Sequence, residues 1–311
     1  MAGDTKERIL ETALELFAQN GYLGTSMNDI AQQLGFTKAA LYKHYTSKQE
    51  ILDRIVEHMN EMDYERAESY EMPETEPDGF VHLTTFMLDS DAVRKTAHEY
   101  NATVTEFLTA AMMQAILRLQ AEQVPFRRLR KPVKVLVPVN LRSLFPSRTM
   151  RNFALYVTPE IDPKLGEYSF AEICNNVHHR MGMEVTAKQM STKIATNVNS
   201  EKSPILKVMP LVVKNAAMKA VFDAVGECKS CLCMSNLGLV KLPEVMQQYV
   251  TRMDFIIGVP SRTAYHCALL SYGGTIYLNL VRSIIEPELE MHFYKVLREL
   301  GVHVKVESNE R

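Results

Sequence analysis

Positively charged side chains cluster in one stretch near the N-terminus. Residues 30 to 49 contain no aspartate or glutamate, although they carry three lysines and a histidine: Lys38, Lys43, His44 and Lys48. Ammonium groups in such a run suit contacts with phosphate oxygens, which give an affinity that falls as salt rises. The whole chain has a formal net charge of −2 and a pI near 6.5. A local patch, and no global field, would therefore have to attract a polyanion.

The elements that would position these cations begin with capping signals. Residues 25 to 50 are typical of two short helices around a glycine turn, followed by the start of another helix. Ser26 with Asp29, and Ser47 with Glu50, have the spacing of a capping box. A longer helix over residues 5 to 21 is predicted upstream from apolar residues at helical spacing, namely Ile9, Ala13, Leu16 and Phe17.

Three features define the helix that would carry the cations. Gly35 is placed where the chain must turn sharply without a Cβ penalty, and Gly21 would end the upstream helix. Thr37 can cap the next helix, whose buried side would be Leu41 and Tyr45. A short amphipathic helix without acidic residues, behind a tight turn, suits entry into the major groove of DNA.

These residues together resemble a known family. Residues 5 to about 55 look like the N-terminal DNA-binding domain of TetR-family transcriptional regulators. The pattern is specific because it fixes many positions in one contiguous block. The matching residues are Ile9, Ala13, Phe17, Gly21, Thr25, Ile30, Ala31, Gly35, Leu41, Tyr42, Tyr45, Lys48 and Leu52.

The resemblance implies double-stranded operator DNA as a partner. Thr25 would cap the second helix and touch phosphate, and Ala39 and Leu41 would offer apolar contacts, for example to thymine methyls. Tyr45 would be partly buried beside the DNA backbone. The expected contact residues are Thr25, Ser26, Thr37, Lys38, Ala39, Leu41, Tyr42, His44, Tyr45 and Lys48. Thr37, Lys38, Ala39 and Leu41 would face the groove, whereas Tyr42, His44, Tyr45 and Lys48 would contact or flank the backbone.

An acidic stretch follows this head. Residues 64 to 79 hold six acids, one arginine, two prolines and a glycine, a composition that cannot pack a core. Pro73 and Pro77 would end any helix continuing from Lys48. We therefore expect a DNA-binding domain over residues 1–63, a solvated acidic linker or helix extension over 64–80, and a second domain over 81–311.

The second domain is expected to mix strands with long helices, which indicates an α/β or α+β fold with a mixed sheet. Gly273-Gly274 is a hairpin signal. Strands are predicted at 134–139, 153–159, 231–235, 254–259, 264–272, 275–281 and 302–307. Helices are predicted at 105–123 with Thr105 as cap, at 169–198 from a Ser169–Glu172 box, and at 286–300 with Pro287 in the first turn and Gly301 at the end.

Several of these stretches resemble the chloramphenicol-acetyltransferase-like acyltransferases, nearest to alcohol acetyltransferases and condensation domains. The likeness covers about residues 82 to 309, with NLRS, RNFA and SNLG as markers within 137–157 and 235–243. That family has two similar lobes, and the second histidine of an HHxxxDG motif in its first lobe is the general base. This chain resembles the second lobe only, and the head stands where the first lobe would be.

No catalytic residue can be carried over. His178-His179 are the only adjacent histidines, but no aspartate follows at the required position and a helix is predicted there. We therefore expect a protein that is not an enzyme. A CoA-dependent alcohol acyltransferase-like enzyme, degenerate or completed by a partner's lobe, is the alternative.

Cysteine spacing raises the question of a metal site. Cys228, Cys231 and Cys233 supply only one CxxC-like motif, whereas a structural zinc site needs four ligands. His266 and Cys267 could complete a site only if their strand ran alongside. The alternative is that these cysteines are small buried hydrophobes, and no metal or cofactor is expected.

Two further clusters admit two interpretations each. One is basic and would either bind a phosphate or CoA-like ligand or solvate a loop; it comprises Arg127, Arg128, Arg130, Lys131 and Lys134. The other is methionine-rich and would fill the core or line an adaptable pocket; it comprises Met112, Met113, Met181, Met183 and Met190.

These observations predict a cytoplasmic, sequence-specific DNA-binding regulator of transcription. The charged N-terminus does not resemble a signal peptide, no apolar run reaches the roughly 18 residues of a membrane span, and five cysteines without a paired framework fit a reducing compartment. The second domain would provide homodimer contacts, because a lone lobe would expose a large apolar face. It would also bind a small acyl or alcohol effector, as the resemblance implies.

Overall fold

The computed structural model describes residues 2–55, 69–70, 80–202, 230–258 and 263–310. They form two compact units. The first unit contains the N-terminal helices together with Asn140–Leu155 and the stretch that starts at Glu184. The second unit contains the remaining described residues, up to the C-terminus.

Four helices make up the N-terminal part: α1 (Ala2–Gly24), α2 (Met27–Gln33), α3 (Lys38–Tyr42) and α4, which is described over residues 48–55. The predicted order of helices is confirmed. Their shared core consists of Ile9, Ala13, Met27, Ile30, Ala31, Leu41, Tyr45, Ile51 and Ile55. Burying this apolar set stabilises the unit, at roughly 25 cal/mol per Å² of apolar area removed from water.

The prediction that Gly21 ends α1 is wrong. The helix continues to Gly24, and Lys48 explains this because its ammonium group donates to the carbonyl oxygens of Tyr22 and Thr25, each at 2.6 Å. A cation at the C-terminal carbonyls of a helix stabilises the end of that helix. Tyr22 adds a contact with the α4 start, since its hydroxyl donates to Gln49 at 2.9 Å.

The mixed sheet has the order β3-β2-β5-β6-β7-β1-β8, with β4 paired to β2. It belongs to the second unit except for Asn140 of β2 and the first two residues of β3. Its β2–β5 and β5–β6 pairs are parallel, and β6–β7, β7–β1, β1–β8 and β2–β4 are antiparallel. The strands are β1 (His82–Asp89), β2 (Val133–Asn140), β3 (Ala154–Val157), β4 (Glu160–Ile161), β5 (Leu232–Leu239), β6 (Tyr265–Tyr272), β7 (Thr275–Arg282) and β8 (Val304–Ser308).

Six more helices complete the described residues: α5 (Ser90–Glu99), α6 (Val104–Gln123), α7 (Phe170–Glu184), α8 (Ala187–Lys202), α9 (Glu244–Gln247) and α10 (Glu288–Glu299). The predicted fold class, a helical head followed by an α/β part with a mixed sheet, is confirmed. Gly273 and Gly274 both have positive φ, 57° and 83°, in the β6–β7 hairpin. Because Gly pays no Cβ penalty there, the predicted turn forms without strain.

Several boundaries differ from prediction. Thr103, and not Thr105, caps α6, because its side chain bonds Glu106 in a capping box. The expected helix at 169–198 is two helices, α7 and α8, interrupted before Ala187. The strand predicted at 254–259 is not formed over its described part, since residues 254–258 have no regular structure. β1 and α5 were not predicted.

The acidic segment differs from prediction in its described part. Ser69 and Tyr70 are buried, and not solvated, because the Tyr70 amide donates to Pro132 O at 3.0 Å and its hydroxyl bonds Gln123. Burial raises the pKa of Tyr70 to about 12. Residues 56–68 and 71–79, including Pro73 and Pro77, lie outside the described residues, so the domain boundaries at 63 and 80 remain predictions.

A buried ion pair joins β7 to α10. The guanidinium of Arg282 is fully buried and donates to Glu290 at 2.8 Å and to the carbonyl oxygens of Ile284 and Ile285 at 2.9 and 3.0 Å. Glu290 also accepts from the Tyr265 hydroxyl at 3.1 Å. Every charged oxygen or nitrogen in this network therefore has a partner, as burial requires.

Candidate nucleic-acid interface

The turn between α2 and α3 is fixed by its backbone hydrogen bonds. Ser26 and Asp29 cap α2 reciprocally, as predicted. At the other end Phe36 N donates to Ala31 O at 2.8 Å and Gly35 N donates to Gln32 O at 3.0 Å, which is the Schellman arrangement. Gly35 has φ +69°, the left-handed conformation that Gly adopts without a Cβ penalty.

The next helix, α3, presents two different faces. Thr37 caps it by accepting from Ala40 N at 3.2 Å. Leu41 is fully buried and Tyr45 is 5% exposed, whereas Tyr42 is 42% exposed. The exposed face carries Thr37, Lys38, Ala39, Tyr42 and Lys43. This face is what the fold offers to a partner, and it contains no acidic group.

Three residues of the predicted contact set are buried, and one predicted cap is wrong. Thr25 does not cap α2, since Ser26 is the N-cap, and it is 1% exposed with its hydroxyl donating to Leu16 O at 3.1 Å. Leu41 and Tyr45 belong to the core of the first unit, and little of either side chain is exposed. Their assigned contacts with DNA remain predictions. The i, i+4 spacing predicted them as a buried side, and this prediction is confirmed.

Lys48 is largely occupied by the protein itself. Besides its bonds to the carbonyl oxygens of Tyr22 and Thr25, its ammonium group lies 4.2 Å from the centroid of the Tyr22 ring, within the range of a cation–π contact. The exposed cations of this region are therefore Lys38 and Lys43, neither of which forms an ion pair with any described residue. Lys43 belongs to the predicted basic run but was not among the predicted contact residues. Its position next to Tyr42 could have indicated that it lies on the same exposed face.

The Ser47–Glu50 box is only half formed. Glu50 N donates to Ser47 Oγ at 3.0 Å, but the carboxylate accepts from the amide and hydroxyl of Thr46, each at 2.6 Å. These two bonds lower the pKa of Glu50. The N-terminus of α4 is still capped by Ser47, and the Glu50 carboxylate stabilises it because an anion interacts favourably with the positive end of the helix dipole.

The second unit brings few of its candidate groups together. His178 lies 3.2 Å from Glu106 through Nδ1, and it is half-exposed on α7 beside His179. Glu106 already caps the backbone of Thr103. Among the described residues, no hydrogen bond joins His178 to a nucleophilic side chain. The His178–Glu106 pair forms a polar contact between α7 and α6.

The described cysteines are free thiols, of which Cys174, Cys231 and Cys267 are buried and Cys233 is partly buried. β6 does run beside β5, with Cys233 opposite His266 and Met234 opposite Cys267. Burial raises the pKa of Cys231 to about 12 and that of Cys233 to about 11, which keeps both protonated at neutral pH. Among the described residues no three histidine, cysteine or acidic side chains are grouped to hold a metal; Cys228 lies outside them.

The other predicted clusters are dispersed. Lys134 is buried and lies 3.6 Å from Glu160, and Arg130 donates to the carbonyl oxygens of Val124 and Pro125. Met112, Met113 and Met190 are core residues, but Met183 is 62% exposed. None of the described helices is long and apolar enough to cross a bilayer.

The geometry of α2, the Gly35 turn and α3 is that of a helix-turn-helix. Residues 9–55 match the family model of bacterial regulatory proteins, tetR family. The head is thus a TetR-type domain. It is 42% identical over 52 residues to the biofilm operon icaADBC HTH-type negative transcriptional regulator IcaR of Staphylococcus epidermidis, and 41% identical over 51 residues to IcaR of Staphylococcus aureus strain Newman. These matches cover 17% and 16% of this chain, and the chain spans only 28% and 27% of those relatives.

The fold beyond the head is shared with acyltransferase-like domains. The epimerization domain from the third module of tyrocidine synthetase B aligns over 80% of this chain and 55% of its own, with a TM-score of 0.52 and 11% identity. Trichothecene 15-O-acetyltransferase from Fusarium sporotrichioides aligns over 80% of this chain and 52% of its own, with a TM-score of 0.51 and 12% identity. At these identities the likeness shows the fold alone.

Proposed function

We propose that this chain is a cytoplasmic, sequence-specific DNA-binding regulator of transcription. The observation that carries the proposal is the exposed, acid-free face of α3, with Lys38, Ala39, Tyr42 and Lys43 outward and Leu41 inward, in a TetR-type domain. Phosphate contacts from the lysines position the protein, and the few side chains at base edges specify the site.

The proposed contact set is smaller than the sequence indicated. Ser26, Thr37, Lys38, Ala39 and Tyr42 are exposed, and His44 is half-buried at the C-terminal end of α3. Lys43 joins them. Lys48 orders the end of α1, so its contribution to DNA binding is to hold the head in shape. Ala39 is left as the apolar group for a thymine methyl.

A double substitution tests this proposal. Operator DNA from the region flanking the gene would be titrated at a stated salt concentration with the Lys38→Ala/Tyr42→Ala protein. We expect affinity to fall by roughly 30-fold or more, since a good base contact contributes about 1–3 kcal/mol. The matched control is Tyr294→Ala/Lys295→Ala, which removes a similarly exposed tyrosine and a lysine from α10. Equal binding by wild type and the α3 variant would refute the proposal.

The proposed regulator acts as a homodimer. A five-residue α3 can reach only a few base pairs, and helix-turn-helix proteins gain a second half-site by two-fold pairing. The support lies in residues 237–256, called here the 237–256 surface. Its inward residues pack on Leu270, Tyr272 and Tyr277, while it exposes Leu237, Leu239, Val245, Met246, Tyr249 and Ile256.

The charges of the 237–256 surface fit a second copy of the same chain. It contains two cations, Lys241 and Arg252, and two acids, Glu244 and Asp254, so self-association brings no net repulsion. Light scattering at micromolar concentration should show a dimer for wild type and a monomer for Tyr249→Glu. Leu165→Glu, at an equally exposed leucine outside the surface, should stay dimeric. A monomeric wild-type protein would exclude this arrangement.

The acyltransferase-like part also supports two proposals that rest on fold likeness. As an effector domain it would bind an acyl or alcohol ligand, and thermal-shift measurements with acyl-CoAs and medium-chain alcohols should show stabilisation that grows with ligand concentration. As a rival enzyme, with a partner's lobe or a relocated base, it would turn over acetyl-CoA in the presence of an alcohol. We expect no turnover, and measurable transfer by the purified chain would replace the regulator proposal with the enzyme.

A further inference from the structure

A second basic element belongs to the same compact unit as the DNA-binding head. Residues 140–155 contain three arginines, Arg142, Arg148 and Arg151, and no acidic residue. They are assigned to the first unit together with α1 to α4. In a chain of net charge −2, this is a local excess of positive charge outside α3.

The backbone of this loop is ordered by its own polar groups. The Arg142 guanidinium donates to the carbonyl oxygens of Thr149 at 2.9 Å and Arg151 at 2.7 Å. The loop is tied further by Ser147 Oγ, which accepts from Thr149 N at 3.3 Å, and by Thr149 Oγ1, which accepts from Arg151 N at 3.2 Å. One arginine is therefore used to shape the loop that carries the other two.

Those two arginines are available for a ligand. Arg148 and Arg151 are exposed, and neither side chain forms a hydrogen bond or ion pair with any residue that the structure describes. An ordered loop loses less conformational entropy on binding than a disordered one, and arginine matches phosphate geometry through its planar fork of donors.

The head itself offers few cations to DNA. Only Lys38 and Lys43 are exposed and unpaired in the acid-free run among the described residues, whereas DNA-binding proteins commonly make about 6–10 phosphate contacts. A 20-base-pair duplex centred on α3 extends about 34 Å to each side at 3.4 Å per base pair. That is about the length of the 23-residue α1, so a duplex read by α3 is long enough to contact a second element of the same unit.

We infer that the 140–155 loop is a second phosphate-binding element, which holds the DNA backbone beside the site read by α3 through Arg148 and Arg151. This inference rests on the proposed DNA-binding function. The loop's ligand is the phosphodiester backbone, so it adds affinity for any duplex and no sequence preference.

The test is the salt dependence of DNA binding by the full chain. Arg148→Gln/Arg151→Gln should lower the slope of log affinity against log salt by about 1.8 for each bound protomer, or about 3.6 for the proposed dimer, since each phosphate contact contributes about 0.9. Affinity for operator and for unrelated duplex should fall by the same factor. Arg148→Lys/Arg151→Lys should keep most of the slope. Circular dichroism should show unchanged folding, because neither side chain has a hydrogen bond or ion pair to lose among the described residues.

The matched control is Arg127→Gln/Arg128→Gln. It removes the same charge from two exposed arginines of the second unit and should leave the slope unchanged. An unchanged slope for the Arg148/Arg151 variant overturns the inference, as does an equal fall for the control, which would make the effect one of net charge.

The two proposals fail differently. If Lys38→Ala/Tyr42→Ala abolishes operator preference while the loop variant has no effect, α3 reads DNA and the loop does not bind it. If the α3 variant has no effect and the loop variant still lowers the slope, the phosphate element stands and the proposed α3 reading fails.

Discussion

The hydrogen bonds within the TetR-type head and those within the sheet join residues at very different separations along the chain. In the head, Ser26 bonds Asp29 three residues away, and Tyr22 bonds Gln49 27 residues away. In the sheet, Thr85 bonds Asn279 across 194 residues at 2.6 Å. The head is thus specified by short sequence patterns, whereas the sheet depends on a register between distant strands.

Charge is used in opposite ways in these two regions. Lys38 and Lys43 are exposed on the head without an ion pair to any described residue. Arg282 is buried in the second unit and paired with Glu290. A buried charge must be satisfied by the protein, so it serves the fold, whereas an exposed unpaired cation in an acid-free run is free to serve a partner.

The largest expected effect on stability comes from breaking the buried Arg282–Glu290 pair. Arg282→Met leaves the buried Glu290 carboxylate without its cation, so we expect a loss of about 3–5 kcal/mol in the free energy of unfolding. Urea unfolding followed by circular dichroism measures it. Arg94→Met removes an exposed pair with Asp91 and should change stability by less than about 0.5 kcal/mol. Equal losses in the free energy of unfolding for the two variants would contradict the expected difference between the buried and the exposed ion pair.

The next prediction distinguishes a lysine that stabilises the head, Lys48, from one that is proposed to contact DNA, Lys43. Lys48→Met removes the charged hydrogen bonds to Tyr22 O and Thr25 O, so we expect a loss of about 1.5–3 kcal/mol in local stability. Lys43→Met, at an exposed lysine, should be neutral for stability and should weaken DNA binding. Hydrogen exchange of the head amides in the full chain measures the first, and titration with DNA the second. Faster exchange in both variants would show that Lys43 also has a structural role.

Sequence patterns predicted the head well because its signals are local. Caps at Ser26 and Thr37 and the turn at Gly35 each depend on residues within a few positions of one another. Two parts of the head were not predictable in this way. The end of α1 is set by Lys48, 24 residues after Gly24. The burial of Thr25 also depends on tertiary packing, which its neighbours in the sequence do not reveal.

The sheet was predicted only where strands are β-branched or strongly apolar. β6 and β7 were recognised from continuous apolar runs and the glycine hairpin. β1, with the sequence HLTTFMLD, mixes polar and apolar residues and was missed. It becomes a strand because β7 and β8 pair with it on both sides, information that its own sequence does not contain.

A smaller effect tests whether head stability is as local as its hydrogen bonds suggest. Ser26→Ala removes the side-chain acceptor for Asp29 N, so the head should lose about 1 kcal/mol. Ser26→Thr retains a hydroxyl and should lose much less. Hydrogen exchange of the α2 amides should report the loss, while amides of β6 and β7 should be unaffected. Faster exchange in the sheet would show that the two regions are coupled.

The smallest effect is a pH dependence confined to the head. The Asp29 carboxylate accepts from the backbone N–H of Ser26 at 2.7 Å and from its hydroxyl at 2.8 Å, which lowers the pKa of Asp29 from 3.8. A carboxyl whose pKa is lower in the folded state stabilises that state above its unfolded pKa, and this contribution is lost as pH falls through the folded pKa.

Asp29→Asn should therefore destabilise the head at pH 7 and by the same amount at pH 5. The difference from wild type should narrow below about pH 4, the ordinary pKa of an aspartate, and disappear once Asp29 is protonated in the folded protein. Hydrogen exchange of the α2 amides, corrected for the intrinsic rate at each pH, would follow it. A difference that persists unchanged at pH 2 would mean that the carboxylate's charge is not what stabilises α2, and that the shape of the side chain alone closes the cap.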